Sequence, residues 1–195
     1  MLYVIGIICG YLLGSVPMGI LVTRLAGRGD LRQVGSGNIG ATNVMRVGGL
    51  RLAGLVWLLD MAKAILAVFV GYNLLGVELG AWSGFAAVVG HCFPVWLHFH
   101  GGKGVSCLFG VMLALNPLLF CICGIEWLVV ALMSGYSSLG ALTVFVIAPI
   151  VAFAIGGEVG FAILGICVVC LFRHIENIGR LVGGTESKIK WKWKK

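Results

Sequence analysis

The chain has 195 residues, of which 60% are hydrophobic and only 11% are charged, and its formal net charge at pH 7 is +7. A soluble domain has about 45–50% apolar and about 25% charged residues, and a chain of this length has no interior large enough to bury the excess. The composition therefore excludes a soluble globular protein and predicts an integral membrane protein.

Apolar runs follow one another along the chain and predict membrane-spanning helices. The first run has no basic residues ahead of it and is too long for a signal peptide, so we expect it to be retained. The pair Asn116-Pro117 interrupts the fourth run, which leaves a choice between six and seven spans. The seven-span alternative places the spans at residues 2–22, 52–75, 79–98, 103–115, 117–133, 139–155 and 158–174.

The distribution of basic residues decides between these two counts. Five arginines lie between the first two spans, and the tail, residues 175–195, is rich in lysine. Cytoplasmic segments are enriched in Lys and Arg, and both segments can be cytoplasmic only if the number of spans is odd. We therefore predict an all-α, single-domain protein with seven transmembrane helices, an external N-terminus and a basic cytoplasmic tail. The final KIKWKWKK is typical of an anchor for anionic lipid.

The first polar segment, VGSGNIGATNVMRVGG, contains a GxGxxG pattern. A membrane span precedes it and no βαβ unit can form around it, which excludes a dinucleotide site. Glycine-loop N–H groups can still face an anion. A helical turn over residues 42–46 would place the side chains of Thr42 and Arg46 on one face of the helix. The alternative is a flexible loop with helix caps. The candidate residues are Ser36, Gly37, Asn38, Thr42, Asn43 and Arg46.

The second polar segment, GHCFPVWLHFHGGKGV, places Lys103 beside Gly101 and Gly102. It does not match a P-loop, but a lysine in a glycine turn at a helix N-terminus is well placed to bind phosphate. The alternative is an interfacial lysine that reaches the membrane surface. We predict that His91 is a hydrogen-bonded structural residue. The histidines and the seven cysteines show no metal-site spacing, so we predict no metal and no cofactor, and expect the cysteines to be buried.

The third polar segment, RHIENIGRLVGGTESK, follows the last span. His174 and Asn177 are three residues apart, and together they can orient a hydroxyl and accept its proton. The alternative is that they cap the last helix. Since the predicted topology places all three polar segments in the cytoplasm, we expect them to form one site.

Charged residues inside the predicted spans point to a second class of function. Asp60 and Lys63 are three residues apart in the second span and are predicted to neutralise each other, whereas Glu126 has no obvious partner. Because charge inside a membrane is often functional, a transporter of a phosphorylated solute is the alternative hypothesis. Such a transporter should show broken helices and an internal repeat, and the sequence has no repeat. A lipid-binding scaffold would explain the tail but not the glycine motifs.

The three segments, together with GSVPMG in the first span, resemble the bacterial acyl-phosphate:glycerol-3-phosphate acyltransferases in order and spacing over essentially the whole chain. The resemblance implies an enzyme of the bacterial inner membrane that faces the cytoplasm and begins phospholipid synthesis. Its substrates would be acyl phosphate and glycerol 3-phosphate, and its products lysophosphatidate and inorganic phosphate. We expect a monomer in contact with membrane lipid, without nucleic acid.

The same resemblance assigns roles to residues. It implies catalytic roles for Ser36, Lys103, His174 and Asn177. It implies substrate or phosphate binding by Gly37, Asn38, Thr42, Asn43, Arg46, Gly101, Gly102, Arg180, Glu186 and Lys188. This chain departs from the family at His100, where a lysine is usual, and at Gly135, where a basic residue usually precedes the tyrosine.

Overall fold

The computed structural model describes residues 1–189, apart from the side chain of Glu158, and this range is helical without strands. The lipid anchor predicted at the C-terminus falls mainly on residues 190–195, which lie outside the described range. The helices are α1 (Leu2–Ser15), α2 (Met18–Leu25), α3 (Ala41–Cys92), α4 (Val105–Leu115), α5 (Pro117–Ser134), α6 (Ser137–Arg173) and α7 (Ile175–Val182). Two short 3-10 turns lie at Leu31–Gln33 and Val95–Leu97.

The long helices are interrupted at glycines and prolines. The backbone of α3 leaves helical geometry at Gly49 (φ 81°) and again at Gly76 (φ 82°), and α6 does so at Gly156. The first predicted span is a broken helix rather than a continuous one. Val16 adopts an extended conformation between α1 and α2, because a residue that precedes proline is disfavoured in the helical region.

Small residues bring α1 and α3 into close contact. A Cβ atom added at Gly10 would overlap the backbone of Ser83, and one added at Gly14 would overlap that of Ala87. Helices without large side chains at their interface approach closely, which is the usual packing mode in a membrane. Large apolar side chains such as Phe69 and Ile150 point outward, as expected for lipid-facing positions.

Burial of the cysteines follows the prediction at five of the seven positions. Cys92, Cys107, Cys123, Cys167 and Cys170 are buried, and Cys9 is partly buried. The prediction was wrong for Cys121, which is exposed on α5 because one face of this helix has no protein neighbour among residues 1–189.

Candidate active site

The side chain of Asn43 holds the first glycine loop, residues 35–40, in place through hydrogen bonds. Its Oδ1 accepts a hydrogen bond of 2.9 Å from the Ser36 N–H. Its Nδ2 donates at 2.9–3.2 Å to the main-chain carbonyls of Leu31, Val34 and Asn38. A Cβ at Gly35, where φ is +62°, would overlap the Asn43 amide. Asn43 is buried and both ends of its amide are used by the loop, so it shapes the loop rather than binding substrate.

We expect Asn43→Asp to lower kcat/KM for acyl transfer at least about tenfold, because a carboxylate oxygen would replace the donor that faces the loop carbonyls and leave buried acceptors unpaired at about 1–3 kcal/mol. Steady-state rates of the purified protein would measure the effect. Asn73→Asp is the matched control, since the Asn73 side chain is exposed and, among residues 1–189, bonds only to the Phe69 carbonyl at 2.7 Å. Equal rates for the two variants would contradict the role assigned to Asn43.

The second glycine loop is bonded to the end of α3 through its N–H groups. The Gly101 N–H donates to the Cys92 carbonyl at 3.1 Å, and the Gly102 N–H donates to the His91 carbonyl at 3.0 Å. These two amides are therefore already hydrogen-bonded within the protein, and the substrate-binding role implied for Gly101 and Gly102 stays a prediction. The positive charge that this loop brings to the pocket comes from Lys103.

Arg173, at the end of α6, holds the same loop from the other side. Its Nε donates to the Gly102 carbonyl and its Nη2 to the Gly101 carbonyl, both at 3.0 Å, while its guanidinium lies 5.4 Å from the centre of the Phe93 ring. Arg173 was not among the predicted site residues, although its position next to His174 in the third polar segment was a usable signal.

Lys103 enters a hydrogen-bond network with the third polar segment. Its Nζ donates to the Asn177 Oδ1, and the Asn177 Nδ2 donates to Glu186 at 2.6 Å. Ser138 and Arg180 also donate to Glu186, at 2.8 and 2.6 Å. Glu186 is therefore an acceptor that fixes its neighbours, and the substrate-binding role implied for it stays a prediction.

Burial and neighbouring groups shift the pKa values of Lys103 and Glu186 in this network. Burial is the main factor that lowers the pKa of Lys103, and the nearby Arg180 adds to it. Burial alone would raise the pKa of Glu186, but the hydrogen bonds from Arg180, Ser138 and Asn177 outweigh burial and lower it. The network thus contains a charged carboxylate and an ammonium that loses its proton more readily than an ordinary lysine.

His174 lies where α6 ends and α7 begins, and the two helices are bent there by 56°. Its Nδ1 donates to the Cys170 carbonyl at 2.7 Å, and its ring meets Phe145 edge to face at 5.1 Å. The protonated Nδ1 leaves Nε2 as the acceptor of the ring. His174 is buried and does not line the open pocket, so it borders the site from behind.

An open pocket of about 280 Å³ joins the three polar segments, which confirms their predicted convergence. Ser36, Gly37 and Asn38 line it from the first segment, Gly101 and Lys103 from the second, and Arg180 from the third. Its charged lining is strongly cationic. The charged residues that line it are Arg32, Lys103, Arg173, Arg180 and a single carboxylate, Glu176.

Six predicted substrate-binding residues do not line this pocket: Asn43, Gly102 and Glu186, described above, and Thr42, Arg46 and Lys188. Arg46 is exposed on α3, and the Thr42 hydroxyl lies 3.4 Å from that of Ser137. The Lys188 ammonium lies 5.4 Å from the centre of the Tyr136 ring. Next to it, Gly135 has φ +81°, a left-handed conformation that explains why glycine suits this position better than the basic residue usual in the family.

One group of side chains has the ligand types of a metal site. Asp60, His91 and Cys107 each place a possible ligand atom within 4.8 Å of the others. The Lys63 ammonium, however, lies 2.8 Å from Asp60 and 3.0 Å from the His91 Nδ1. The positive charge at this place is therefore supplied by a lysine, which does not suit a cation site.

Comparisons with known proteins, by sequence and by fold, all lead to the same family. The family described as glycerol-3-phosphate acyltransferase matches residues 4–184. A glycerol-3-phosphate acyltransferase of Rhizobium etli is 46% identical over 183 residues, 93% of this chain and 89% of that one. One of Sinorhizobium fredii is 48% identical over 181 residues, 92% of this chain and 89% of that one.

Two crystal structures of PlsY (YgiH), an integral membrane glycerol 3-phosphate acyltransferase, superpose on the chain. The glycerol 3-phosphate form has a TM-score of 0.91 at 36% identity and covers 96% of both chains. The lysophosphatidic acid form has a TM-score of 0.89 at 34% identity and covers 96% of this chain and 95% of that one.

Proposed function

The chain belongs to the glycerol-3-phosphate acyltransferase family and is an acyltransferase that acylates glycerol 3-phosphate, and we propose that its acyl donor is an acyl phosphate. The cationic pocket is the observation that carries the proposal. An acyl phosphate and glycerol 3-phosphate together bring two phosphate groups, and the lining supplies several cations with one opposing carboxylate. The products are 1-acylglycerol 3-phosphate and inorganic phosphate.

The reaction is a direct displacement at the acyl carbonyl carbon. The sn-1 hydroxyl oxygen forms the new ester bond, the bond between the carbonyl carbon and the phosphate oxygen breaks, and the hydroxyl proton ends on the departing phosphate. Because phosphate is a good leaving group, positioning and charge stabilisation contribute more than a strong protein base. No metal or cofactor is needed to balance these steps.

The geometry supports a division of roles among the pocket residues. Lys103 and the exposed side of the Ser36–Gly37 loop face the same space, which suits the phosphate of the donor. Arg180 also lines the pocket and suits the phosphate of glycerol 3-phosphate. Asn177 holds Lys103, and His174 borders the site with its Nε2 as an acceptor for the attacking hydroxyl.

The proposed membrane arrangement has seven crossings with the site in the cytoplasm of a bacterial inner membrane. The stretch Ala41–Leu97 has 57 residues, about 85 Å of helix, so it can cross a core of about 30 Å more than once. The breaks at Gly49 and Gly76 in α3 and at Gly156 in α6 lie where turns between crossings are needed. The basic loop after α2 and the basic tail favour this orientation. We propose a monomer in direct contact with lipid.

A transporter of a phosphorylated solute is the weaker candidate. Its motivation was the charge of Asp60 and Lys63, and these side chains are 2.8 Å apart and buried. The pocket is lined by loop residues at helix ends rather than by residues in the middle of the spans.

Product formation by the purified protein in detergent or lipid tests the donor. Glycerol 3-phosphate would be supplied with palmitoyl phosphate or with palmitoyl-CoA, and lysophosphatidate and free phosphate would be followed together. We expect product from palmitoyl phosphate only, with one phosphate released per acyl group transferred. If product forms from palmitoyl-CoA alone, the proposal that the donor is an acyl phosphate is wrong. If folded protein forms no product with either donor, the result would favour the transporter hypothesis.

A further inference from the structure

Asp60, Lys63 and His91 form a buried polar cluster inside the helices, outside the pocket. The Lys63 Nζ lies 2.8 Å from the Asp60 Oδ1 and 3.0 Å from the His91 Nδ1, and the His91 Nδ1 lies 3.4 Å from the Asp60 Oδ1. An ammonium only donates, so the His91 Nδ1 accepts from it and Nε2 carries the ring proton. All three side chains are at least 96% buried.

The cluster reaches the second glycine loop through His91. The His91 carbonyl accepts the Gly102 N–H at 3.0 Å. The imidazole lies directly against Gly102, where an added Cβ would overlap Nε2. Lys103 is the next residue, so a shift of His91 moves the ammonium that lines the pocket.

The cluster also reaches the break between α1 and α2. Lys63 also donates a hydrogen bond to the Val16 carbonyl at 2.7 Å, where Pro17 interrupts the helix. A non-helical backbone at membrane depth needs such a partner. One ammonium therefore joins three parts of the fold: the break after α1, the second span in α3, and the end of α3 that carries the loop.

Stability alone is a poor reason for these charges. Apolar side chains of similar volume are often as stabilising as a buried ion pair, because desolvation offsets the attraction between the charges. An ion pair whose ammonium also donates directed hydrogen bonds, here to Val16 and His91, does, however, define one geometry where apolar packing permits several. A single defined geometry is useful next to the second glycine loop, because Lys103 in that loop has to bind a phosphate.

We infer that Asp60, Lys63 and His91 are positioning residues that hold the glycine loop, and with it Lys103, in the orientation used for acyl transfer. The inference rests on the proposed function for its catalytic consequence, but the position of the loop can be measured without substrate. Arg173 braces the carbonyl side of the loop, and the cluster braces its N–H side.

Two measurements on the full-length protein in detergent micelles test the inference. The first is hydrogen–deuterium exchange of residues 101–104, whose Gly101 and Gly102 amides are bonded to α3. We expect His91→Ala to accelerate this exchange, while exchange in α5 stays as in the wild type. The second is kinetics, where we expect kcat/KM for glycerol 3-phosphate to fall about 10²-fold, the size expected for a misplaced catalytic group.

Three further variants make the test specific. His91→Gln keeps an acceptor for Lys63. Its exchange rate at residues 101–104 and its kcat/KM should therefore lie between those of His91→Ala and the wild type. Gly102→Ala should be impaired because its methyl group overlaps the imidazole, and adding His91→Ala should restore part of that loss. Glu126→Gln is the matched control, since the Glu126 carboxylate is buried without a hydrogen-bond partner among residues 1–189 and lies outside the cluster.

The outcomes separate this inference from the proposed function. Wild-type exchange at residues 101–104 in His91→Ala, or strictly additive losses in the double variant, would overturn the positioning role. If His91→Ala does not fold, His91→Gln carries the same test, since exchange at residues 101–104 that is faster than in the wild type supports the positioning role and wild-type exchange there overturns it. A wild-type protein that is inactive with acyl phosphate would overturn the proposed donor and leave the exchange result standing.

Discussion

Lys103→Gln is expected to lower kcat/KM for acyl transfer about 10²–10³-fold, comparable to the loss of an oxyanion-hole donor in other enzymes. Lys103 is the only lysine among residues 1–189 that lines the pocket, and the amides of the preceding glycines are already bonded to α3. No other group of this loop can therefore replace its charge. Initial rates with glycerol 3-phosphate and palmitoyl phosphate would measure the loss.

The pH profile shows whether the charge of Lys103 is the cause. An ammonium is charged below its pKa, and burial lowers that pKa from the ordinary value for lysine. We therefore expect kcat/KM to decline on the alkaline side as Lys103 loses its proton, and Lys103→Arg to move that decline to higher pH. Arg51→Gln removes one exposed positive charge away from the pocket and serves as the control. An alkaline limb that persists unchanged in Lys103→Arg would contradict the assignment.

Glu186→Ala is expected to lower kcat/KM about 10²-fold and to lower the thermal unfolding midpoint as well, because Asn177, Ser138 and Arg180 would each lose an acceptor at about 1–3 kcal/mol. Asn177 would then no longer hold Lys103, so the effect should appear in kcat as well as in KM. Steady-state kinetics together with a thermal melt in detergent would measure both effects.

Glu176→Ala is the matched control for Glu186. Both are glutamates that interact with Arg180, but the Glu176 side chain is 83% exposed and lies 3.7 Å from the guanidinium. An exposed pair of this kind contributes about 0–1 kcal/mol. We expect near wild-type stability and kinetics for Glu176→Ala, and equal losses for the two variants would show that bulk charge rather than the buried network matters.

The convergence of three separate segments was predicted from the distribution of charge, and residues of all three line one pocket. The helical turn over residues 42–46, the lysine at the start of α4, and the ion pair of Asp60 with Lys63 are also as predicted. Each of these depends on neighbours within a few positions of the chain. Local spacing is sufficient to predict such features because helix geometry brings residues three and four apart together.

The direction in which each polar group of the site points was not predicted from the motifs. The Gly101 and Gly102 amides face α3, the Asn43 amide faces the main chain, and Glu186 accepts from neutral and cationic donors. A motif shows that such groups are near a site, but the direction of each hydrogen bond follows from contacts between distant segments.

The sequence by itself determined the membrane class, the order of the apolar segments and the family, because these depend on composition, on local periodicity and on motifs read along the chain. The tertiary structure alone decided which polar residues face the pocket and which support it. Lys103 meets Asn177 across 74 positions, and Arg173 meets Gly101 across 72. A buried polar group must find a partner, and among helices the nearest partner is set by packing rather than by distance along the chain.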